Sequence, residues 1–258
     1  MVILQYNLSD MTEICLQSVL ENDYENIKEI IIVDNGSSDP FHANRFKNRY
    51  DNVRVIEQSP NVGYCGGTNV GWKAATGDHI LLLNNDTALS HNCISMLVKT
   101  METDDKIGWA GACYQAGPWT NCRVWFPPEA IEELDQSKGS VRGKMNEYAN
   151  SLPDDPKINY WDATEVTALL MRKTMSDQIG YFWDELFEHH QADYVLRMEV
   201  ENWKVAVCGN AIFWHSVGSP TLQSMGIHSQ ARRQCSLEST AMMSKRYPNV
   251  DLSRLFPW

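Results

Sequence analysis

A chain of 258 residues, 43% hydrophobic and 21% charged, has ordinary globular composition and is long enough for one large α/β domain with a sizeable core. Its formal net charge of −11 excludes a phosphate-backbone partner such as DNA, which needs a basic surface, but leaves room for a small anion neutralised by a metal ion and backbone N–H groups. Nowhere do about 18 apolar residues run together, so no spanning helix is expected, and the apolar opening Met1–Leu4 is too short for a signal-peptide core; peripheral contact with a membrane stays open.

Val2–Tyr6 reads as a strand, and Thr12 to about Asn22 spaces Ile14, Leu16, Val19 and Leu20 as a helix does. Glu29–Asp34 is a near-continuous apolar run ending in a carboxylate, the pattern of a buried parallel strand. Val53–Glu57 alternates like an edge strand. Thr68–Ala75 reads as a short helix stopped by Gly77, and His79–Leu83 is a second buried strand, running into Asn84-Asn85-Asp86. Prolines punctuate Gly117–Pro156 around a charged segment, Glu129–Lys144, which predicts an irregular excursion with one helix. Regularity returns at Trp161–Met171, followed by a helix from about Thr174 and an aromatic, acidic stretch, Tyr181–Arg197. Two short strands, Lys204–Val207 and Ala211–Trp214, and a helix around Arg232–Lys245 complete the reading. The expectation is a single α/β domain with a mostly parallel central sheet flanked by helices. It divides into a nucleotide-binding half at 1–90, a second half at about 91–219 with an irregular insertion near 115–158, and a helical tail at 220–258.

Asp34 and Asp86 both fall where a buried strand ends, and open parallel sheets bind ligands beyond those carboxyl ends. Asp34-Asn35-Gly36-Ser37-Ser38-Asp39 is either plain turn chemistry or a carboxylate that accepts a hydrogen bond from a nucleobase or ribose. The glycine-rich run Asn61–Gly71 lets backbone N–H groups approach a phosphate, although it fits neither the GxxxxGK[ST] nor the GxGxxG spacing. Asn84-Asn85-Asp86-Thr87 supplies hard oxygen donors for Mg²⁺ or Mn²⁺, or else an Asx-capped turn. The seven cysteines are scattered, with no CxxC pair, which excludes a zinc knuckle and a disulfide framework and suits a reducing cytosol. Five of the nine tryptophans, Trp119, Trp125, Trp161, Trp183 and Trp214, flank these segments, and one or two of them are candidates for stacking on a sugar ring.

Taken in order, VDNGSSD, NVGYCGGTNVGWKAATGDHILLLNND and AIFWHSVGS resemble the family 2 glycosyltransferases of the GT-A fold, in particular the rhamnosyltransferase-like members. The resemblance is dense over 1–90 and looser over about 161–219. It implies a Rossmann-like GT-A domain that moves a hexosyl or deoxyhexosyl group, with inversion, from a UDP-, dTDP- or GDP-sugar to a glycan or lipid-linked saccharide hydroxyl. By position it implies that Asp34 reads the base, with Tyr6, Asn61, Gly63, Gly67, Asn69 and Asn85 around the nucleotide. Asn84 and Asp86 take the first and last places of a DxD metal motif, and His215 completes a Mn²⁺ or Mg²⁺ site. Counting forward from Asp184 puts Asp193 at the catalytic base position. Counting back from Arg197 puts Gln191 there and leaves Asp193 nearby, with Glu188 and His190 in reserve. Asp193 and Arg197 are also spaced for an ion pair on one helix face. Two rivals remain: a sugar nucleotidyltransferase, which would want a basic phosphate loop after the first strand, and a relative that binds sugar nucleotides without transferring.

Overall fold

The computed structural model describes residues 1–38, 41–114, 140–160, 167–216 and 229–255. The expected strand–helix alternation opens the chain: β1 (Val2–Gln5), α1 (Ser9–Leu20), β2 (Ile30–Asn35), a short α2 (Phe41–Asn44), β3 (Val53–Gln58), α3 (Gly63–Ala74) and β4 (His79–Asn84). There follow β5 (Thr87–Leu89), α4 (Cys93–Glu102), β6 (Ile107–Tyr114), α5 (Ser140–Asn150), β7 (Ile158–Tyr160), β8 (Ala168–Arg172) and α6 (Lys173–Ile179). Then come α7 (His190–Val200), β9 (Lys204–His215) and α8 (Ser229–Arg246). All the strands join one sheet of order β3-β2-β1-β4-β8-β6-β9-β5, with β7 paired to β9.

The apolar runs of β2 and β4 have the composition they do because helices cover both faces of the sheet. On one face Ile3, Ile32 and Leu83 pack against Leu16 and Val19 of α1 and Leu97 of α4. On the other, Val2, Val33 and Leu82 pack against Trp72 of α3, Val195 of α7 and Met243 of α8.

Three expectations are corrected. The sheet is mixed: β1·β2, β1·β4, β2·β3 and β6·β9 pair in parallel, whereas β4·β8, β5·β9, β6·β8 and β7·β9 are antiparallel. Parallel pairing belongs mainly to the first ninety residues, where helices supply the crossovers. The two short strands near 204–214 are one strand, β9, broken in register opposite Ala112 and Cys113. Asn210 sits in that irregularity, its side chain donating to Pro153 O and Asp155 O and accepting from Lys157 N–H. Finally, the glycine-rich run is mostly helix rather than a phosphate-cradling loop, since α3 begins at Gly63. A Cβ on Gly71 would lie 2.4 Å from a Val2 methyl and 2.7 Å from a Val33 methyl, so this glycine lets α3 settle onto the sheet. Gly71→Ala therefore lowers stability by about 1–3 kcal/mol through overpacking, measurable as a fall in thermal midpoint. An unchanged midpoint would show that α3 has slack against β1 and β2.

The chain runs β1, β2, β3 outward on one side, then returns to β4 on the other side of β1. The crevice outside the carboxyl ends of β1 and β4 is thus a topological switch point, the place where such sheets bind ligands.

Candidate functional site

Asp34 stands at the carboxyl end of β2, 7% exposed, in register with Gln5 of β1. Its Oδ1 accepts from Gln5 Nε2 at 3.2 Å and from the Ser37 hydroxyl. The Ser37 oxygen in turn accepts from Asn7 N–H at 2.8 Å, and Asn7 Oδ1 accepts from Ser38 N–H at 3.0 Å. The tips of β1 and β2 are stitched together around one carboxylate. Tyr6 follows directly, half-buried.

Asn35 anchors the neighbouring segment, donating to Gly63 O at 2.9 Å and to Asn61 Oδ1 at 3.3 Å while accepting from Val62 N–H at 3.1 Å. Asn61 Oδ1 also accepts from Gly63 N–H at 2.9 Å, closing the turn that leads into α3. Gly63 has φ +77°, and the space a side chain would take is open. Asn61 and Gly63 thus lie at the mouth of the crevice side of α3.

Other expected nucleotide contacts turn inward. A Cβ on Gly67 would meet a Leu4 methyl at 2.6 Å, so this glycine serves helix–sheet packing. Asn69 is buried and spends its carboxamide on the backbone of Phe182, donating to its carbonyl at 2.9 Å and accepting from its N–H at 3.1 Å. Asn85 is buried and donates to Thr12 Oγ1 at 3.1 Å, beneath α1. Gly67 and Asn69 are scaffold, a correction to their expected role, since the steric or polar capacity of each is used within the fold, while Asn85 spends one carboxamide N–H on α1.

Asp86 and His215 meet. Antiparallel pairing of Thr87 with His215 brings the end of β9 beside the β4–β5 turn, and Ser216 N–H donates to Asp86 O at 2.9 Å. Asp86 Oδ1 lies 3.1 Å from His215 Nε2, with Asp86 only 4% exposed. Two residues earlier, Asn84 Oδ1 is buried without a hydrogen-bond partner among the described residues. A carboxylate, an imidazole and a spare carboxamide oxygen suit Mn²⁺ or Mg²⁺. Among the described residues no group of three or more His, Cys, Asp or Glu side chains is placed to hold a metal ion by itself. Further ligands would therefore come from diphosphate oxygens and water.

Asp193 is tied down within the fold. It is fully buried; Oδ2 accepts from Arg197 Nε at 3.0 Å, while Oδ1 accepts from the Tyr247 hydroxyl at 2.7 Å and lies 3.5 Å from Arg246 Nε. Arg246 itself lies over the Trp183 ring. With both oxygens committed and no exposed surface, this carboxylate locks α7 to α8 and does not meet an acceptor hydroxyl. That corrects its assignment as base; both counts along the sequence had kept it in the site. Arg197 spacing was legible; Tyr247 and Arg246, more than fifty residues away, carried no local signal. Neither did the roles of Gln5 and Asn35, although both close a buried strand.

The stretch before α7 reaches back toward the crevice. Cys65 Sγ donates to Leu186 O at 3.4 Å, and the Tyr64 ring lies 5.0 Å from that of His190. His190 is 7% exposed and burial pushes its imidazole down to about 3, with His189 adding repulsion. A folded-state value below the unfolded one of about 6.5 means stability is full above pH 6.5 and is lost as pH falls toward 3. Between pH 7 and 5 the protein therefore loses about 2 kcal/mol that His190→Phe, which keeps the ring packing, does not lose. Parallel urea denaturation slopes for the two proteins across that range would disprove it. Glu188 is half-buried, its N–H donating to Ser239 Oγ at 3.1 Å and its carboxylate accepting from Arg232 at 2.9 Å. Trp119, Trp125, Trp161 and residues 217–219 lie outside the described residues, as does most of the 115–158 insertion.

Comparison with known proteins places this arrangement. Over 95% of the chain the fold matches a mannosyltransferase from Pyrobaculum calidifontis, solved in complex with GDP-Man and Mn²⁺, with a TM-score of 0.64 at 15% identity and 63% of that chain covered. Residues 1–349 of TarS from S. aureus match over 99% of this chain and 66% of that one, at 14% identity and a TM-score of 0.62. At such identities the likeness concerns the fold, which is that of the GT-A glycosyltransferases.

In sequence, the glycosyltransferase GlyG of Streptococcus pneumoniae is 30% identical over 102 residues, 39% of this chain and 34% of that protein. A poly-β-1,6-N-acetyl-D-glucosamine synthase of Staphylococcus aureus is 33% identical over 104 residues, 40% of this chain and 25% of that protein. The matched region thus spans about a third or less of these relatives. The profile of glycosyl transferase family 2 matches residues 1–150, and the chain belongs to that family.

Proposed function

We propose that this chain transfers a sugar, with inversion, from a nucleoside diphosphate sugar to a hydroxyl of a glycan or lipid-linked saccharide, and does so with a divalent metal. The observation that carries the reading is the Asp86–His215 pair at the carboxyl end of β4, on the same sheet edge as the Asp34 carboxylate. Asp34 holds the base or ribose, and Asp86 with His215 holds the metal against the diphosphate. A bound Mn²⁺ or Mg²⁺ supplies Lewis-acid stabilisation of the charge growing on the leaving phosphate. GDP-Man with Mn²⁺ in the mannosyltransferase, and UDP in a TarS complex, agree with such a donor.

The acceptor hydroxyl needs a base. With Asp193 withdrawn, we assign that part to Glu188, which sits two residues before the His190 ring that contacts Tyr64. No helix among the described residues is long and apolar enough to cross a membrane. The withdrawal of Asp193 also favours a second reading, a relative that binds donors and no longer transfers. Incubating the protein with UDP-, dTDP- and GDP-sugars, with Mn²⁺ or with a chelator, separates the two. Metal-dependent release of nucleoside diphosphate supports transfer. Tight donor binding without any release, across all three bases, leaves only the binding protein.

A further inference from the structure

The hydrogen bonds at the tip of β2 decide how many acceptor atoms Asp34 can offer. Its Oδ1 takes two donors. Gln5 must present its Nε2, because a carboxylate only accepts, and the contact is 3.2 Å. The Ser37 hydroxyl must likewise present its single proton to the carboxylate, while its oxygen accepts from Asn7 N–H. Both lone pairs of Oδ1 are therefore in use. Oδ2 takes no hydrogen bond among the described residues. Gln5 cannot swing away: it is fully buried, in register with Asp34 at the end of β1.

We infer that Gln5 determines donor specificity: it leaves Asp34 one acceptor oxygen, which selects uracil or thymine over guanine. This rests on the donor reading above. Guanine presents a ring N–H and an exocyclic amine side by side, and a carboxylate satisfies the pair only with both oxygens. Uracil and thymine present one ring N–H between two carbonyls, and a single oxygen satisfies it. Cytosine turns a ring lone pair toward the same oxygen and is repelled. Leaving one guanine donor unpaired in a site this buried costs roughly ten- to a hundredfold in affinity.

The test is calorimetric binding of UDP, dTDP, CDP and GDP, each with Mn²⁺, to the wild type and to Gln5→Met. Methionine has similar length and suits a buried strand position, but it gives Oδ1 no donor. UDP and dTDP are expected to bind the wild type roughly ten- to a hundredfold more tightly than GDP or CDP. In Gln5→Met the UDP-to-GDP ratio narrows at least about fivefold as Oδ1 becomes free to accept. Should that variant fail to fold, Ser37→Ala removes the other donor and narrows the same ratio. GDP binding the wild type as tightly as UDP would overturn the inference and leave the transferase reading standing. A ratio unmoved in the folded variant would overturn the role of Gln5. If no diphosphate binds with Mn²⁺, the donor reading itself fails and takes this inference with it.

Discussion

Asp86→Ala is expected to remove the metal-promoted part of donor binding and to cut turnover about a hundredfold or more, because Lewis-acid stabilisation at a leaving phosphate is worth several kcal/mol. The side chain is nearly buried, but among the described residues its side-chain hydrogen bond is the 3.1 Å approach to His215 Nε2. The main chain at this point is held separately, by Ser216 N–H donating to Asp86 O at 2.9 Å and by the Thr87–His215 register. Losing the carboxylate should thus cost about 1–2 kcal/mol of stability and leave the turn in place. Calorimetric titration of UDP with and without Mn²⁺ reads the effect directly. In the wild type Mn²⁺ tightens binding, and in Asp86→Ala the two titrations coincide. A full Mn²⁺ enhancement surviving in the variant would remove Asp86 from the metal site. His215→Ala should give a weaker version of the same loss, since the carboxylate charge remains.

Much of the crevice was legible in the sequence because it is built from strand ends. Buried parallel strands announce themselves as apolar runs, and whatever polar residue ends the run must sit at the sheet's edge, so Asp34 and Asp86 could be placed from composition alone. The meeting of Asp86 with His215 was implied by family likeness only; the physical cause is the antiparallel register of β5 on β9, which no local pattern encodes. Side-chain direction was the less legible part. Asn61 and Asn69 stand in one asparagine- and glycine-rich run, yet Asn61 closes the turn before α3 while Asn69, about two turns further on, faces Phe182. Starting the helix at Thr68 rather than at Gly63 hid the difference, because helical phase decides which asparagine turns inward. Gly67 and Gly71 follow the same logic: both are needed for the close seating of α3 on the sheet, and closeness to a neighbouring strand leaves no mark except the glycine itself.

Asp193→Asn is expected to cost about 3 kcal/mol of stability while leaving turnover per folded molecule within a few-fold of wild type. The carboxylate is wholly buried and balances Arg197, which bonds Asp193 Oδ2 at 3.0 Å and also donates to Ile179 O and Tyr181 O at 2.8 Å. Removing one partner of such a pair leaves the other charge desolvated and uncompensated, which costs about 3–5 kcal/mol. Asparagine keeps the shape and can still accept from Tyr247, so the lower end applies. An exposed helical pair with the same spacing would be worth only a few tenths of a kcal/mol, and the size of the loss therefore distinguishes a buried lock from a surface contact. Arg246, which lies over Trp183 and approaches Asp193 Oδ1 at 3.5 Å, should loosen with it, so that α8 becomes the first element to open. Glu188→Gln is the complementary experiment. Its partner Arg232 is half exposed, so stability should scarcely move, whereas turnover should fall by roughly 10²–10⁴ if this carboxylate takes the acceptor proton. The loss should sit in kcat, with donor KM little changed. Urea denaturation and initial rates on both variants give four numbers, and the crossed pattern is the expected one. Asp193→Asn that folds as well as wild type but turns over a thousandfold more slowly would restore Asp193 as the base and require α8 to swing away during the reaction.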